Sequence, residues 1–168
     1  MSLASPQTYS FAQKFAHWMI FILSVVQFPT AGGIQRTHHV NPFGIKPAPL
    51  DLVLHKVHAW SGWAILLMAA ILLLLRVLRG APPLPQGMNV MERGLARFGH
   101  VALYGGILIL VATGTLAAYF SPRFAPMHVL FTYVGIGLVF LHAAAAFWHQ
   151  FIRRDSLLTR MLPPWPRK

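Results

Sequence analysis

Cysteine is absent from all 168 residues, and acidic residues number only three. Without thiols the chain forms no disulfide and no thiolate iron–sulfur cluster, and it has no CxxCH site for covalent cofactor attachment, whatever the redox compartment. Charged residues are also scarce, at 10% against 56% hydrophobic, with a mean hydropathy of +0.57. A soluble domain of this size needs more polar surface than that, so the composition points to an integral membrane protein. No alternation of the kind a transmembrane barrel requires is visible. Long apolar runs therefore mean helices, whose backbone polar groups are satisfied within the segment.

Four such runs are present, at about 15–31, 52–78, 95–120 and 127–151. Each approaches the ~20 residues that cross a bilayer core. The first begins after a weakly charged start, contains His17 and lacks a small-residue cleavage site, so it is expected to be retained rather than removed as a signal peptide. Cations concentrate between the second and third runs, at Arg76, Arg79, Arg93 and Arg97, and in the tail, at Arg153, Arg154, Arg160, Arg167 and Lys168. The other two connections hold mainly Arg36, Lys46 and Arg123, and the positive-inside rule then places both termini in the cytoplasm. The expected fold is an all-α, four-helix transmembrane bundle forming a single domain over 1–168. Topology and anionic lipid account for the net charge of +11; nucleic acid does not, because the basic residues flank spans instead of forming one face.

The connections have characters of their own. The first, PTAGGIQRTHHVNPFGIKPAPLD, is rich in proline and glycine and reads as an external loop with His38 and His39 on its surface. In the second, APPLPQG breaks the chain and NVMERGLARFGH reads as an interfacial amphipathic segment ahead of the third span. The tail RRDSLLTRMLPPWPRK, with Trp165 among arginines, also reads as interfacial.

Histidine is what the spans have in excess. Ionisable groups in hydrocarbon are costly and face the bundle interior, so His17, His55, His58, His100, His128, His142 and His149 need an account. His128 and His142 are fourteen residues apart, which returns to nearly the same helix face and separates them by roughly 21 Å of depth. With both termini inside, depth pairs His17 with His142 on the cytoplasmic side and His58 with His128 on the external side. Two noncovalent bis-histidine haem sites follow, with these four residues as the axial ligands of the haem iron. Gly62 and Gly135 lie on the ligand faces, where either a flat macrocycle or close helix packing needs a missing side chain. His55, one turn before His58, competes with it for the external site. Zinc or copper would accept the same residue type, although the wide spread in depth and the lack of carboxylates in the spans suit haem better. His100 and His149, at cytoplasmic depth beside Trp148 and Phe151, suit either a quinone site or contact with headgroups and haem propionates.

The stretches FAHW, VHAWSGWAILLMAAILLLLRVLR, GLARFGHVALY and GLVFLHAAAAFWHQFIRRDSLLTRMLP resemble the bacterial cytochrome b561 family across all four spans and the tail. The resemblance implies two b haems, one held by His17 and His142 and the other by His58 and His128, with His100 and His149 near a quinone site in the bacterial inner membrane. It further implies a superoxide:ubiquinone oxidoreductase, in which electrons from superoxide enter at the external haem, cross to the inner one and reduce ubiquinone. Lys46, Lys56, Arg36 and Arg123 would form a cationic entrance for the anion. The external loops depart from the family pattern, with a long first connection and the short YFSPRFAPMH as the third. That leaves a second donor open: a partner dehydrogenase or hydrogenase, for which this chain would be the cytochrome b subunit.

Overall fold

The computed structural model describes residues 8–38, 46–155 and 157–162. Four long helices make up almost all of it: α1 (Phe11–His38), α2 (Pro49–Arg79), α3 (Val90–Tyr119) and α4 (Ala125–Phe147), the last continued by a π-helical turn, Trp148–Arg153. No strand occurs among the described residues. All four helices are long and apolar enough to cross a membrane.

Local chemistry sets the helix ends. Ser10 and Gln13 start α1 by exchanging backbone and side-chain hydrogen bonds, and Asn89 and Glu92 do the same for α3 as a reciprocal capping box. Pro49 opens α2, where a missing N–H is harmless, and Gly80 ends it at φ 73°, a conformation suited to glycine. The helices outrun the apolar stretches at most ends, because hydropathy marks the hydrocarbon core whereas hydrogen bonding carries a helix on into the interface. Two expectations are corrected by this. Residues 29–38 do not belong to an external loop: α1 runs through Pro29 as far as His38. The segment Val90–His100 does not precede the third span as an interfacial stretch of its own either, since it is the first three turns of α3. His39, Trp165, Arg167 and Lys168 lie outside the described residues.

The packing is uneven. Helix α1 lies along α2 and α3 along α4, while α2 meets α3 over a smaller area. Among the described residues no Cα of α4 comes within 8 Å of α1 or α2. Packed helices stand 8–10 Å apart axis to axis, so α4 faces α1 and α2 across more than ordinary packing distance while α2 and α3 join the two hairpins. Among the described residues no large side chain is fully buried, and α4, the most apolar helix, buries none of its residues. Most of its surface is suited to lipid or to a group held between the hairpins.

Polar ties close one end of the bundle, called here the terminal end. Gln13 Nε2 donates to the Gly80 carbonyl at 3.0 Å, Trp18 Nε1 to the Met161 carbonyl at 2.9 Å, and Arg153 to the Gly87 carbonyl at 2.6 Å and to Glu92. The opposite, hairpin end carries the α1–α2 and α3–α4 connections. There Gly33 lets α1 approach the backbone of α2, since a Cβ on it would stand 2.5 Å from Leu54 Cβ and 3.0 Å from the Asp51 carbonyl oxygen. Arg36 and Asp51 pair across the same contact at 2.7 Å.

Candidate haem sites between the hairpins

The gap between the hairpins is bridged by imidazoles. His17 of α1 and His142 of α4 face each other with ring centres 6.1 Å apart, towards the terminal end. His58 of α2 and His128 of α4 stand 6.3 Å apart, towards the hairpin end. A metal–imidazole bond is about 2.0–2.1 Å and an imidazole nitrogen sits about 1.1 Å from its ring centre, so two rings on opposite sides of one ion stand about 6.3 Å apart. Both pairs fit that span. Elsewhere among the described residues no three histidine or carboxylate side chains converge as a metal site, which leaves two-ligand centres as the arrangement the chain offers. Haem iron, whose other four ligands come from its own macrocycle, is the ion that suits two protein ligands.

The glycines near the rings differ in what their missing side chains admit. A Cβ on Gly62 would meet nothing closer than Gln27 Nε2 at 3.8 Å, so that glycine is not used for helix packing. Gly135 differs, because its missing side chain admits Leu110 at 3.2 Å. Gly114 makes room for the His128 ring itself: a Cβ there would stand 3.1 Å from His128 Cε1 and 3.2 Å from Nδ1. Two threonines contact the hairpin-end rings. Thr30 Oγ1 lies 3.2 Å from His58 Nδ1, and Thr113 Oγ1 lies 3.3 Å from His128 Nδ1, which is also 3.0 Å from the Leu110 carbonyl. His55 does not join this pair, and its Nδ1 contacts Thr37 Oγ1 at 2.9 Å, one turn nearer the hairpin end.

At the terminal end His100 stands against the inner pair, with its ring centre 5.5 Å from that of His142 and its Nδ1 donating to the Ala96 carbonyl at 2.6 Å. Arg76 lies beside both His100 and Tyr104. His149 points elsewhere. Seven residues after His142, it would share that face of a regular helix, but the π-helical turn begins at Trp148 and changes the register. Its Nδ1 pairs with Asp155 at 2.5 Å, and both side chains are about 15% exposed or less. His100 is thus joined to the inner histidine pair and His149 to Asp155, and no contact links the two. Gln150, next to His149, buries its side-chain oxygen without a partner.

The cations expected at the entrance all lie at the hairpin end. Lys46, Lys56 and Arg123 are exposed, whereas Arg36 is engaged with Asp51. Sequence reasoning missed Thr30, Thr113, Gly114 and Asp155. The two threonines were detectable as rare polar residues in apolar runs at the depth of His58 and His128. Asp155 carries no such mark, because its role depends on a turn that periodicity does not announce.

Residues 8–164 match the family described as prokaryotic cytochrome b561. The chain belongs to that family. As a cytochrome b561 it is a membrane electron-transfer protein of a haem b family. It is 24% identical over 177 residues to a probable superoxide oxidase, CybB, of Yersinia pestis, covering 92% of this chain and 96% of that one. It is also 26% identical over 163 residues to a cytochrome b562 of Cereibacter sphaeroides, with 93% and 96% covered.

Proposed function

We propose that this cytochrome b561 binds two b haems, one between His17 and His142 and one between His58 and His128, and acts as a superoxide:ubiquinone oxidoreductase of the bacterial inner membrane. The observation that carries the reading is the pair of imidazole spans, 6.1 and 6.3 Å, between α4 and the first hairpin, whose Cα atoms nowhere come within 8 Å of each other among the described residues. Bound at these pairs, haem supplies one-electron redox chemistry. The protein's part is to hold the axial rings, exclude water from between the hairpins and set the charge around each pair.

Positive charge orients the molecule. The terminal end, with Arg76, Arg79, Arg93, Arg97, Arg153, Arg154 and Arg160, lies in the cytoplasm, and the hairpin end faces outward. Lys46, Lys56 and Arg123 then draw superoxide to the outer mouth. Two superoxide anions each lose one electron to become oxygen, and one ubiquinone gains two electrons and two protons at the inner end. His100, beside the inner pair, and His149, backed by Asp155, offer ring N–H groups and protons there, and the unpartnered Gln150 oxygen supports a polar ligand nearby.

One observation favours a second reading, in which a partner dehydrogenase or hydrogenase supplies the electrons. The chain is as similar to a protein named only cytochrome b562 as to the probable superoxide oxidase, and Arg36 is taken up by Asp51. Purified protein mixed with a superoxide source and ubiquinone separates the two readings: quinone that stays oxidised would refute the first. A reduced-minus-oxidised spectrum should show two haems per chain, falling to one in His128→Ala with the inner haem spared. Full haem content in that variant would refute the ligand assignment.

A further inference from the structure

An imidazole that binds iron through one nitrogen carries a proton on the other, and the acceptor met there fixes the ring's orientation and strengthens its electron donation. At the hairpin end the chain builds that acceptor twice with one device. In the first hairpin Thr30 of α1, 4% exposed, lies 2.7 Å from the Val26 carbonyl and 3.1 Å from the Gln27 carbonyl. Its hydroxyl proton is committed to that backbone, so towards His58 Nδ1 it offers lone pairs and the ring must donate. In the second hairpin Thr113 of α3, 6% exposed, donates to the Ile109 carbonyl at 2.7 Å and turns the same lone pairs to His128 Nδ1. The Leu110 carbonyl, which can only accept, confirms the proton on that nitrogen. Both rings are left with Nε2 unprotonated. The inner pair is built differently: among the described residues neither His17 nor His142 has a hydrogen-bond acceptor for its ring.

We infer that Thr30 and Thr113 are positioning residues for the outer haem, holding His58 and His128 as Nδ1–H donors and lowering the reduction potential of that haem alone. This rests on the bis-histidine reading above. Acceptance at Nδ1 gives the ring partial imidazolate character, which favours the ferric over the ferrous ion. Each ring also meets a backbone carbonyl, His58 that of Gln27 and His128 that of Leu110, so loss of one threonine weakens the acceptor on its ring without abolishing it.

The experiment compares Thr30→Val, which keeps the side chain's shape and removes the hydroxyl acceptor, with Thr30→Ser, which keeps that hydroxyl. Potentiometric titration of the purified, haem-loaded protein should show Thr30→Val raising one midpoint by about 59 mV, a tenfold shift in a one-electron equilibrium, with the other unmoved. Thr30→Ser should match the wild type. The ferric spin-resonance signal of the same haem should change in Thr30→Val, since the His58 ring then has the Gln27 carbonyl alone to orient it. Unchanged midpoints in Thr30→Val with both haems bound would overturn the inference, as would equal shifts in both variants. Where Thr30→Val loses the outer haem, its retention in Thr30→Ser supports the inference and its loss in both overturns it. Failure of the ligand assignment itself is read separately, from full haem content in His58→Ala.

Discussion

Gly33 is where the hairpin-end architecture is most exposed to a single methyl group. In Gly33→Ala the new Cβ would stand 2.5 Å from Leu54 Cβ, 3.0 Å from the Asp51 carbonyl oxygen and 3.2 Å from the His55 amide nitrogen. Ordinary contact begins at 3.4 Å, so the first approach is short by about 0.9 Å, and two of the three neighbours are backbone that no rotamer change can move. Helices α1 and α2 must separate locally by about that distance. Overpacking of this kind costs about 1–3 kcal/mol, a factor of roughly 5–150 in the folding equilibrium. The separation also reaches function, because Thr30 lies one turn from Gly33 and its 3.2 Å contact with His58 has little length to spare. The expected result is a lower unfolding midpoint in detergent together with reduced occupancy of the outer haem and an intact inner one. Gly137→Ala is the control, since a Cβ there meets nothing within 4 Å. An unchanged midpoint in Gly33→Ala, or equal loss in both variants, would refute the claim that α1 and α2 are held at contact distance by this glycine.

The remaining predictions address the cofactor space and the entrance. Gly62→Leu should lower haem content from two to one per chain while the unfolding midpoint of haem-free protein stays within about 0.5 kcal/mol of wild type, because the added side chain enters open space; two haems in that variant would show the space is not the haem's. Lys56→Gln should slow superoxide-driven quinone reduction at low ionic strength and flatten its salt dependence, and a rate unaffected at every salt concentration would remove Lys56 from the entrance. Arg36→Gln should leave that rate nearly unchanged but destabilise the fold by roughly 1 kcal/mol, discounted because Arg36 is 57% exposed, since Asp51 loses its partner.

How far the sequence reaches can be judged at individual histidines. His58 and His128 are legible as a pair because depth in a helix is a local property, counted at a fixed rise per residue from the span's start. The choice of His58 over His55 was not legible. The two differ by one turn and share a face, and the structure separates them only by bringing His58 to His128 and His55 to Thr37. His100 and His149 are legible in depth but not in their partners. They share a depth, which suggested a joint site, yet the π-helical turn at Trp148 gives His149 to Asp155.

The sequence alone therefore determined four spans and the spacing of the histidines along each, because hydropathy and helical rise act within a single segment. Only the tertiary structure decided which threonine serves which ring, that Gly62 borders open space while Gly135 packs on Leu110, and that Arg36 is bound to Asp51. Each of those depends on the rotation of one helix against another. In lipid, helices such as α4 are apolar all round, so their hydrophobic pattern does not say which face turns inward.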